Sequence, residues 1–211
     1  MTEVRELEEF HSVDLRSFGR VVLMGGSQQK VEVEAEEDLL PRVRTEVQGG
    51  VLVVGLRWWL GALLRMPELN EVQVRVTVPM LRSVKLSGAG QVRSEGALSA
   101  EDLELQLSGA GRLALEVKAR RVETRLSGAG AVELSGTAAE MEIRLSGAGA
   151  VRADRLETRR VRIRASGAGE CRVQAAETLE AEVSGAGSVR YRGNPRIESR
   201  ITGVGRLAPL E

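Results

Sequence analysis

The sequence predicts a single all-β domain, a right-handed parallel β-helix (β-solenoid), in which coils of about 18–21 residues stack along one axis. Three observations predict it: a recurring tetrapeptide, strand-like alternation before each copy, and an aliphatic composition. Aromatic residues make up 2% of the 211 residues, so valine, leucine and alanine must fill the core. Such a composition suits a narrow core of constant cross-section.

The tetrapeptide Ser-Gly-Ala-Gly is the strongest of these signals. Its six copies begin 21, 19, 19, 20 and 18 residues apart, and the variant Thr202–Gly205 follows after another 18. A nearly fixed period of this length is typical of solenoids, whose units stack on similar neighbours. The recurring serines and glycines are Ser87, Gly88, Gly90, Ser108, Gly109, Gly111, Ser127, Gly128, Gly130, Ser146, Gly147, Gly149, Ser166, Gly167, Gly169, Ser184, Gly185 and Gly187.

Apolar and charged residues alternate in the segment that precedes each tetrapeptide. In one copy, Val122, Thr124 and Leu126 alternate with Glu123 and Arg125. Period-two alternation predicts a strand with one face buried and the other in water. A second, shorter strand is expected after each tetrapeptide. Its first inward residues are Val92, Leu113, Val132, Val151, Cys171, Val189 and Leu207.

The tetrapeptide itself is predicted to form a corner between two strands. A tight change of direction needs positive φ or a close backbone approach, and glycine allows both. Equivalent residues of successive coils should stack about 4.8 Å apart, so the serine hydroxyls should form a column. The stretches of variable length, 96–101, 135–140 and 154–160, are expected to form loops at the opposite edge.

Residues 1–80 lack the repeat and are predicted to form irregular β coils, continuous with the regular solenoid of residues 81–211. Residues 17–21 resemble a degenerate corner. A capping or insertion segment is expected at 57–70, where the strand pattern is interrupted. The strands predicted in this part are Ser12–Arg16, Arg20–Met24, Lys30–Ala35, Arg42–Val47, Val51–Leu56 and Glu71–Val78.

The segment at 57–70 also carries an apolar patch, which holds both tryptophans of the chain and is flanked by arginine. The patch could be a short cap packed over the core, a contact for another subunit, or a contact for a membrane surface. These alternatives stay open on the sequence. The residues of the patch are Trp58, Trp59, Leu60, Leu63, Leu64 and Met66.

Residues suited to catalysis are sparse. His11 is the only histidine, which disfavours His-based triads and His-ligated metals. The four aspartates are scattered, which disfavours the acidic clusters of glycan-cleaving enzymes. No helical pattern follows the glycine-rich corners, as a nucleotide-binding loop would require. We therefore predict a non-enzyme with no catalytic, cofactor-binding or metal-binding residues, in which Cys171 is a buried, inert thiol.

The charge distribution argues against a generic polyanion-binding protein. The formal net charge is zero, although the first 50 residues hold 11 acidic and 6 basic side chains. Nucleic-acid binding is disfavoured because the repeats lack stacking aromatic residues. Alternating Glu and Arg at 104, 123, 125, 142 and 144 predict an ion-paired, solvated sheet face. The basic run at 152–164 is either another such face or a surface that guides a second molecule.

The first residues of the chain show neither the basic start nor the apolar stretch of a signal peptide. No apolar run approaches the roughly 18 residues of a membrane span. The expected location is therefore cytoplasmic by default, or the cell envelope if a leader has been removed.

The repeated Ser-Gly-x-Gly corners, the strand that ends at Val78-Pro79 and the run at 13–56 together resemble the head GIN domain family. Its members are often labelled putative auto-transporter adhesins, and the resemblance covers roughly residues 10–207. It implies a parallel β-helix and supplies no catalytic residues. The chain also resembles, in architecture and more distantly, the bactofilins, which are cytoplasmic β-helices that polymerise.

One main functional hypothesis and two alternatives follow. The ends of a solenoid expose unpaired strands unless they are capped, so we expect a structural or assembly protein that self-associates through coil ends or flanks. The first alternative is an adhesin-like envelope module that presents its faces to a glycan or protein. The second is a peripheral membrane protein that docks through 58–66. The expected partners are other copies of the chain, or an envelope or membrane-associated component, and not nucleic acid.

Overall fold

Parallel pairing between successive coils builds the molecule, a single-domain all-β solenoid as predicted. The computed structural model describes residues 1–16, 19–56 and 72–210. The described strands are β1 Thr2–Arg5, β2 Ser12–Leu15, β3 Arg20–Gly25, β4 Lys30–Glu34, β5 Val43–Gln48, β6 Val51–Leu56, β7 Gln73–Val78, β8 Ser83–Gly88, β9 Gln91–Gly109, β10 Arg112–Gly128, β11 Ala131–Gly147, β12 Ala150–Gly167, β13 Glu170–Gln174, β14 Thr178–Gly185, β15 Ser188–Arg192, β16 Arg196–Gly203 and β17 Arg206–Pro209. A short 3-10 helix spans Leu40–Arg42.

The repeats stack in register along the axis. β10 pairs in parallel with β9 on one side and β11 on the other, so that Ser127 lies opposite Ser108 and Ser146. The predicted inward residues are buried in the rungs before the last, where for example Val122 is 0% and Leu126 1% exposed. On the last rung, Leu207 is only partly buried. Because each rung places aliphatic side chains over those of the next, the core is a continuous column of Val, Leu, Ile and Ala.

Differences in coil length are absorbed by irregular pairing inside continuous strands and not by loops at one edge, which corrects the expectation for 96–101, 135–140 and 154–160. In the pairing of β9 with β10, the register shifts across Arg93–Ala97, where β9 holds the two extra residues of its 21-residue coil. A similar shift adds one residue to β12. Bulges preserve the alternation on either side of them, which keeps the corners aligned.

The corners use their two glycines for different reasons. Gly128 has φ +110°, and a Cβ built on it would lie 2.6 Å from the carbonyl oxygen of Gly109 in the preceding corner. Gly130 is buried and faces inward, where a Cβ would lie 2.7 Å from a methyl carbon of Leu107. The intervening Ala129 is exposed. The first glycine is therefore needed for backbone conformation and stacking, and the second for space in the core.

The first coil does not stack in the order of the sequence. β2 pairs in parallel with both β6 and β8, and β3 pairs in parallel with both β7 and β9. The rung formed by β2 and β3 therefore lies between two rungs that come later in the chain. The alternation of the sequence predicts β2, β3, β6 and β7 correctly to within two residues at each end, but it carries no information about this insertion.

The two ends of the solenoid differ. At the end near the N-terminus, β4 runs antiparallel to β7, β1 runs antiparallel to β4, and β5 runs antiparallel to β6. These antiparallel strands interrupt the parallel stacking there. At the other end, β16 and β17 pair only with the preceding rung among the described residues, and every residue of β16 is exposed. The last rung therefore leaves the end of the core open.

Replacing Thr124 by valine is expected to raise the free energy of unfolding by about 1–2 kcal/mol. Thr124 is 0% exposed and lies in the core column between Leu105 and Ile143, where its hydroxyl has no hydrogen-bond partner. Valine has nearly the same shape and removes the unpaired polar atom. Urea unfolding measures the change. In the control, Thr158→Val, no gain is expected because that hydroxyl donates to the Leu156 carbonyl at 3.1 Å. A destabilised Thr124→Val protein would contradict the prediction.

Candidate functional site: the serine groove

An elongated groove of about 970 Å³ runs along the corner edge of the solenoid, and we call it the serine groove. One wall is the predicted column of hydroxyls, and the other is the column of outward side chains two residues earlier in each strand. The hydroxyl column consists of Ser87, Ser108, Ser127, Ser146, Ser166, Ser184 and Thr202. The charged lining residues are Asp14, Lys85, Arg125, Arg144, Arg164, Glu182 and Arg200.

The hydroxyl column is exposed and regularly spaced because its residues pair directly across neighbouring strands. Ser146 lies opposite Ser127 and Ser166, and Ser166 lies opposite Ser184. Each of these side chains points into the groove from the last residue before the first glycine of its corner. Ser166 and Ser184 make only long contacts, of 3.5 Å, with carbonyl oxygens of the preceding rung. The column therefore offers hydroxyl groups to a ligand at intervals of one rung.

The second wall is mainly basic. Five of its seven charged side chains are Lys or Arg and two are acidic. Three guanidinium groups, those of Arg125, Arg144 and Arg164, stand on successive rungs in register. Each precedes a serine of the hydroxyl column by two residues. The middle of the groove is thus an Arg-x-Ser unit repeated on three rungs. Each of these three rungs combines a cation with a hydroxyl donor.

A row of glutamates outside the groove holds two of these guanidinium groups in place, whereas Arg164 contacts Glu182 of the groove wall at 3.3 Å. Arg125 is paired with Glu104 and, at 2.7 Å, with Glu123. Arg144 is 3.3 Å from Glu123 and 2.8 Å from Glu142. The predicted ion-paired face is therefore present. These arginines remain half-exposed on the groove side, so they are positioned by the glutamates and are still open to a ligand.

Glu142 is the most buried member of this row, at 8% exposure. Its carboxylate accepts hydrogen bonds from Arg144 and Arg121, each at 2.8 Å. Burial acts to raise the pKa of this carboxyl, but the hydrogen bond and charge of Arg144, with the charges of Arg121 and Arg162, outweigh it and lower the pKa. Glu142 therefore stays ionised at neutral pH and keeps the orientation of Arg144 fixed.

The basic run at 152–164 is largely neutralised by neighbouring rungs. Arg152 contacts Glu133 at 3.0 Å, and Arg160 contacts Glu140 at 2.7 Å. Arg162 contacts Glu180 at 2.6 Å. Only Arg164 of this run lines the serine groove. The run is therefore an ion-paired face over most of its length.

The remaining candidates from the sequence contribute no site in the described part of the chain. Cys171 is 0% exposed, and burial, with the nearby charge of Glu170, raises the pKa of its thiol to about 12. His11 contacts the Ser12 hydroxyl at 3.0 Å, away from the groove. Among residues 1–16, 19–56 and 72–210, no group of three His, Cys, Asp or Glu side chains is arranged to hold a metal ion. The patch at 58–66 lies outside the described residues.

The sequence predicts the hydroxyl column but not the groove. Its signal was present as a basic residue two positions before the corner hydroxyl in Lys85-x-Ser87, Arg125-x-Ser127, Arg144-x-Ser146, Arg164-x-Ser166 and Arg200-x-Thr202. Within the described ranges, no helix has the length and apolar character needed to cross a bilayer.

Residues 9–195 match the family described as putative auto-transporter adhesin, head GIN domain. Among solved structures, a putative adhesin from Bacteroides fragilis is similar with TM-score 0.90 and 21% identity. A putative adhesin from Parabacteroides merdae has TM-score 0.75 and 19% identity, and a putative lipid binding protein from Parabacteroides distasonis has TM-score 0.77 and 18% identity. Each alignment covers 100% of this chain and 96% of the other. No curated protein matches. At these identities the likeness shows the fold alone.

Proposed function

Because the chain belongs to the head GIN domain family of putative auto-transporter adhesins, we propose that it is a non-enzymatic, adhesin-like binding module of the cell envelope. The observation that carries the proposal is the serine groove, which extends over successive rungs with a basic wall and a hydroxyl wall. A groove of this kind suits an extended polymer better than a small molecule, because the same unit is repeated along it.

The ligand class proposed is an acidic polysaccharide. The guanidinium groups of Arg125, Arg144 and Arg164 can bind carboxylate or sulfate groups, and the serines can exchange hydrogen bonds with sugar hydroxyls. An extended peptide would gain most from an unpaired strand edge. On the rungs that carry Arg125, Arg144 and Arg164, the strands beneath the groove are paired on both sides, and so this part of the groove offers no such edge.

The triple substitution Arg125→Gln, Arg144→Gln and Arg164→Gln is expected to raise the Kd for polygalacturonate at least about 30-fold, which corresponds to about 2 kcal/mol. The affinity of the parent protein should fall as salt is added, because the contacts are ionic and exposed. Calorimetry measures both effects, with neutral dextran as the uncharged polymer. Thermal unfolding checks that the fold is retained, since the buried Glu142 carboxylate keeps Arg121 as a partner in this variant.

The matched control is Arg120→Gln, Arg152→Gln and Arg160→Gln, which removes three exposed, ion-paired arginines that do not line the groove. This control should leave the Kd within about twofold of the parent value. Equal losses in the two triple variants would mean that binding follows net charge and not the groove. Absence of polygalacturonate binding by the parent protein would overturn the proposed ligand class.

Self-association through a coil end, the main hypothesis from the sequence, is the second candidate function. It is favoured by the last rung, where Ile197 is 39% and Ile201 40% exposed. In the other rungs of the repeats, the residues of these two columns are buried. An apolar core that ends in water is a contact surface for another molecule.

A further inference from the structure

Among the described residues, strand β16 pairs on one side only, and its sequence is self-complementary. Its central residues read Ile197-Glu198-Ser199-Arg200-Ile201, so that an apolar and a charged residue lie on each side of Ser199 in mirrored order. The acidic residue is on one side and the basic residue on the other. Two copies of such a strand match each other when they run antiparallel.

The backbone groups at this edge are those that an antiparallel partner needs. Arg196 donates its N–H to the Glu177 carbonyl at 2.8 Å, so its backbone groups face β14. The direction in which the backbone N–H and C=O groups point alternates along a strand. The backbone groups of Glu198 and Arg200 therefore also face β14. The N–H and C=O groups of the intervening Ile197, Ser199 and Ile201 therefore point to the open side.

We propose that two copies of the chain form a dimer about a twofold axis through Ser199, with β16 paired antiparallel to its copy. Ile197 then lies opposite Ile201 of the partner subunit, and Glu198 lies opposite Arg200 of the partner subunit. The isoleucine and serine pairs occupy the hydrogen-bonded positions, where each pair exchanges two backbone bonds. The two Glu–Arg pairs occupy the other positions, where side chains come closer.

The charges of Glu198 and Arg200 favour association of two copies of β16, whereas the charges on most edge strands prevent association. Natural edge strands use charge to prevent association, and like charges placed opposite each other achieve this. Here the twofold axis brings opposite charges together in both halves of the interface. The pairing of the two strands also covers Ile197 and Ile201, the two apolar residues that the last rung leaves half-exposed.

The contact is limited to β16, and it produces a closed dimer. Pro195 directly precedes this strand and Pro209 ends β17, and proline has no N–H to donate to a new partner. Head-to-tail stacking would need parallel strands at the opposite end, where the outermost strands β1 and β5 are antiparallel to their neighbours. A twofold contact uses the same surface on both copies and leaves none for further growth.

This inference rests on the second candidate function, self-association, and does not depend on the ligand of the serine groove. Sedimentation velocity of the full chain, at concentrations up to about 1 mM, tests it. The dimer Kd should rise at least tenfold in Glu198→Arg, which places arginines opposite each other. The double variant Glu198→Arg and Arg200→Glu restores opposite charges and should return the Kd to within about threefold of the parent value. Both positions are exposed, and circular dichroism checks the fold.

A second measurement locates the axis. Ser199→Cys should form a disulfide-linked dimer under mild oxidation, because each Ser199 lies opposite its copy on the twofold axis. The control is Val204→Cys, which is 84% exposed but lies off the axis and should stay uncrosslinked. A dimer that Glu198→Arg does not weaken, or that crosslinks equally well at both positions, would overturn this register while leaving self-association standing. A monomer at every concentration would overturn both.

Discussion

Gly128→Ala is expected to lower the free energy of unfolding by about 3–5 kcal/mol. Two costs add in this variant: alanine is strained at φ +110°, and its Cβ would lie 2.6 Å from the Gly109 carbonyl oxygen. That oxygen already accepts the Ala129 N–H at 3.0 Å, so it cannot move without breaking a bond between rungs. Urea unfolding followed by circular dichroism measures the loss.

Ala129→Ser is the matched control for this glycine. The residue lies in the same corner, one position later, but it is exposed, and the equivalent position of the last corner is Val204. The control should change stability by less than about 0.5 kcal/mol. A Gly128→Ala protein as stable as Ala129→Ser would show that the corner relaxes and that stacking does not require glycine there.

Ile143→Ala is expected to lower the free energy of unfolding by about 3 kcal/mol. Ile143 is 0% exposed in a middle rung, with Thr124 on one side and Ile163 on the other. Because the corners hold the spacing of the rungs, the neighbours have little freedom to collapse into the space left by the missing carbons. The midpoint of urea unfolding gives the size of the loss.

Ile201→Ala supplies the comparison, since the same truncation is made at a residue that is 40% exposed on the last rung. A loss of about 1 kcal/mol is expected there, measured in protein dilute enough to be monomeric. Equal losses at 143 and 201 would mean that the last rung is packed as tightly as the middle ones. That result would also remove the apolar surface on which the proposed dimer depends.

Most of the regular solenoid could be predicted because its rules are local. Alternation fixes which residues face inward, and the spacing of the tetrapeptides fixes the register, so Ser127 could be placed beside Ser108 and Ser146 from the sequence alone. The burial of Cys171 could be predicted in the same way, because the other coils have Val or Leu at the equivalent position. The strands of the first 80 residues, apart from β1, could also be predicted, because each carries its own alternation.

The order in which those early strands stack could not be predicted. Alternation says which face of β2 is buried but not which strands lie beside it, and the choice depends on contacts between distant parts of the chain. The serine groove was missed for a different reason. Arg125 and Arg144 pair with glutamates along the sheet, and that local interaction conceals their position on the wall of a concave surface. Concavity depends on how the corner bends, which periodicity does not describe.

The position of β2 and β3 between later rungs has a consequence for biosynthesis. As the chain leaves the ribosome, these two strands emerge early but find both of their neighbours only after β8 and β9 have been made. A coil of the regular repeat needs only the next 20 or so residues to gain a partner. Contacts between distant residues form slowly. The nascent N-terminal segment must therefore wait, unpaired on one side, until the chain has been made as far as the end of β9.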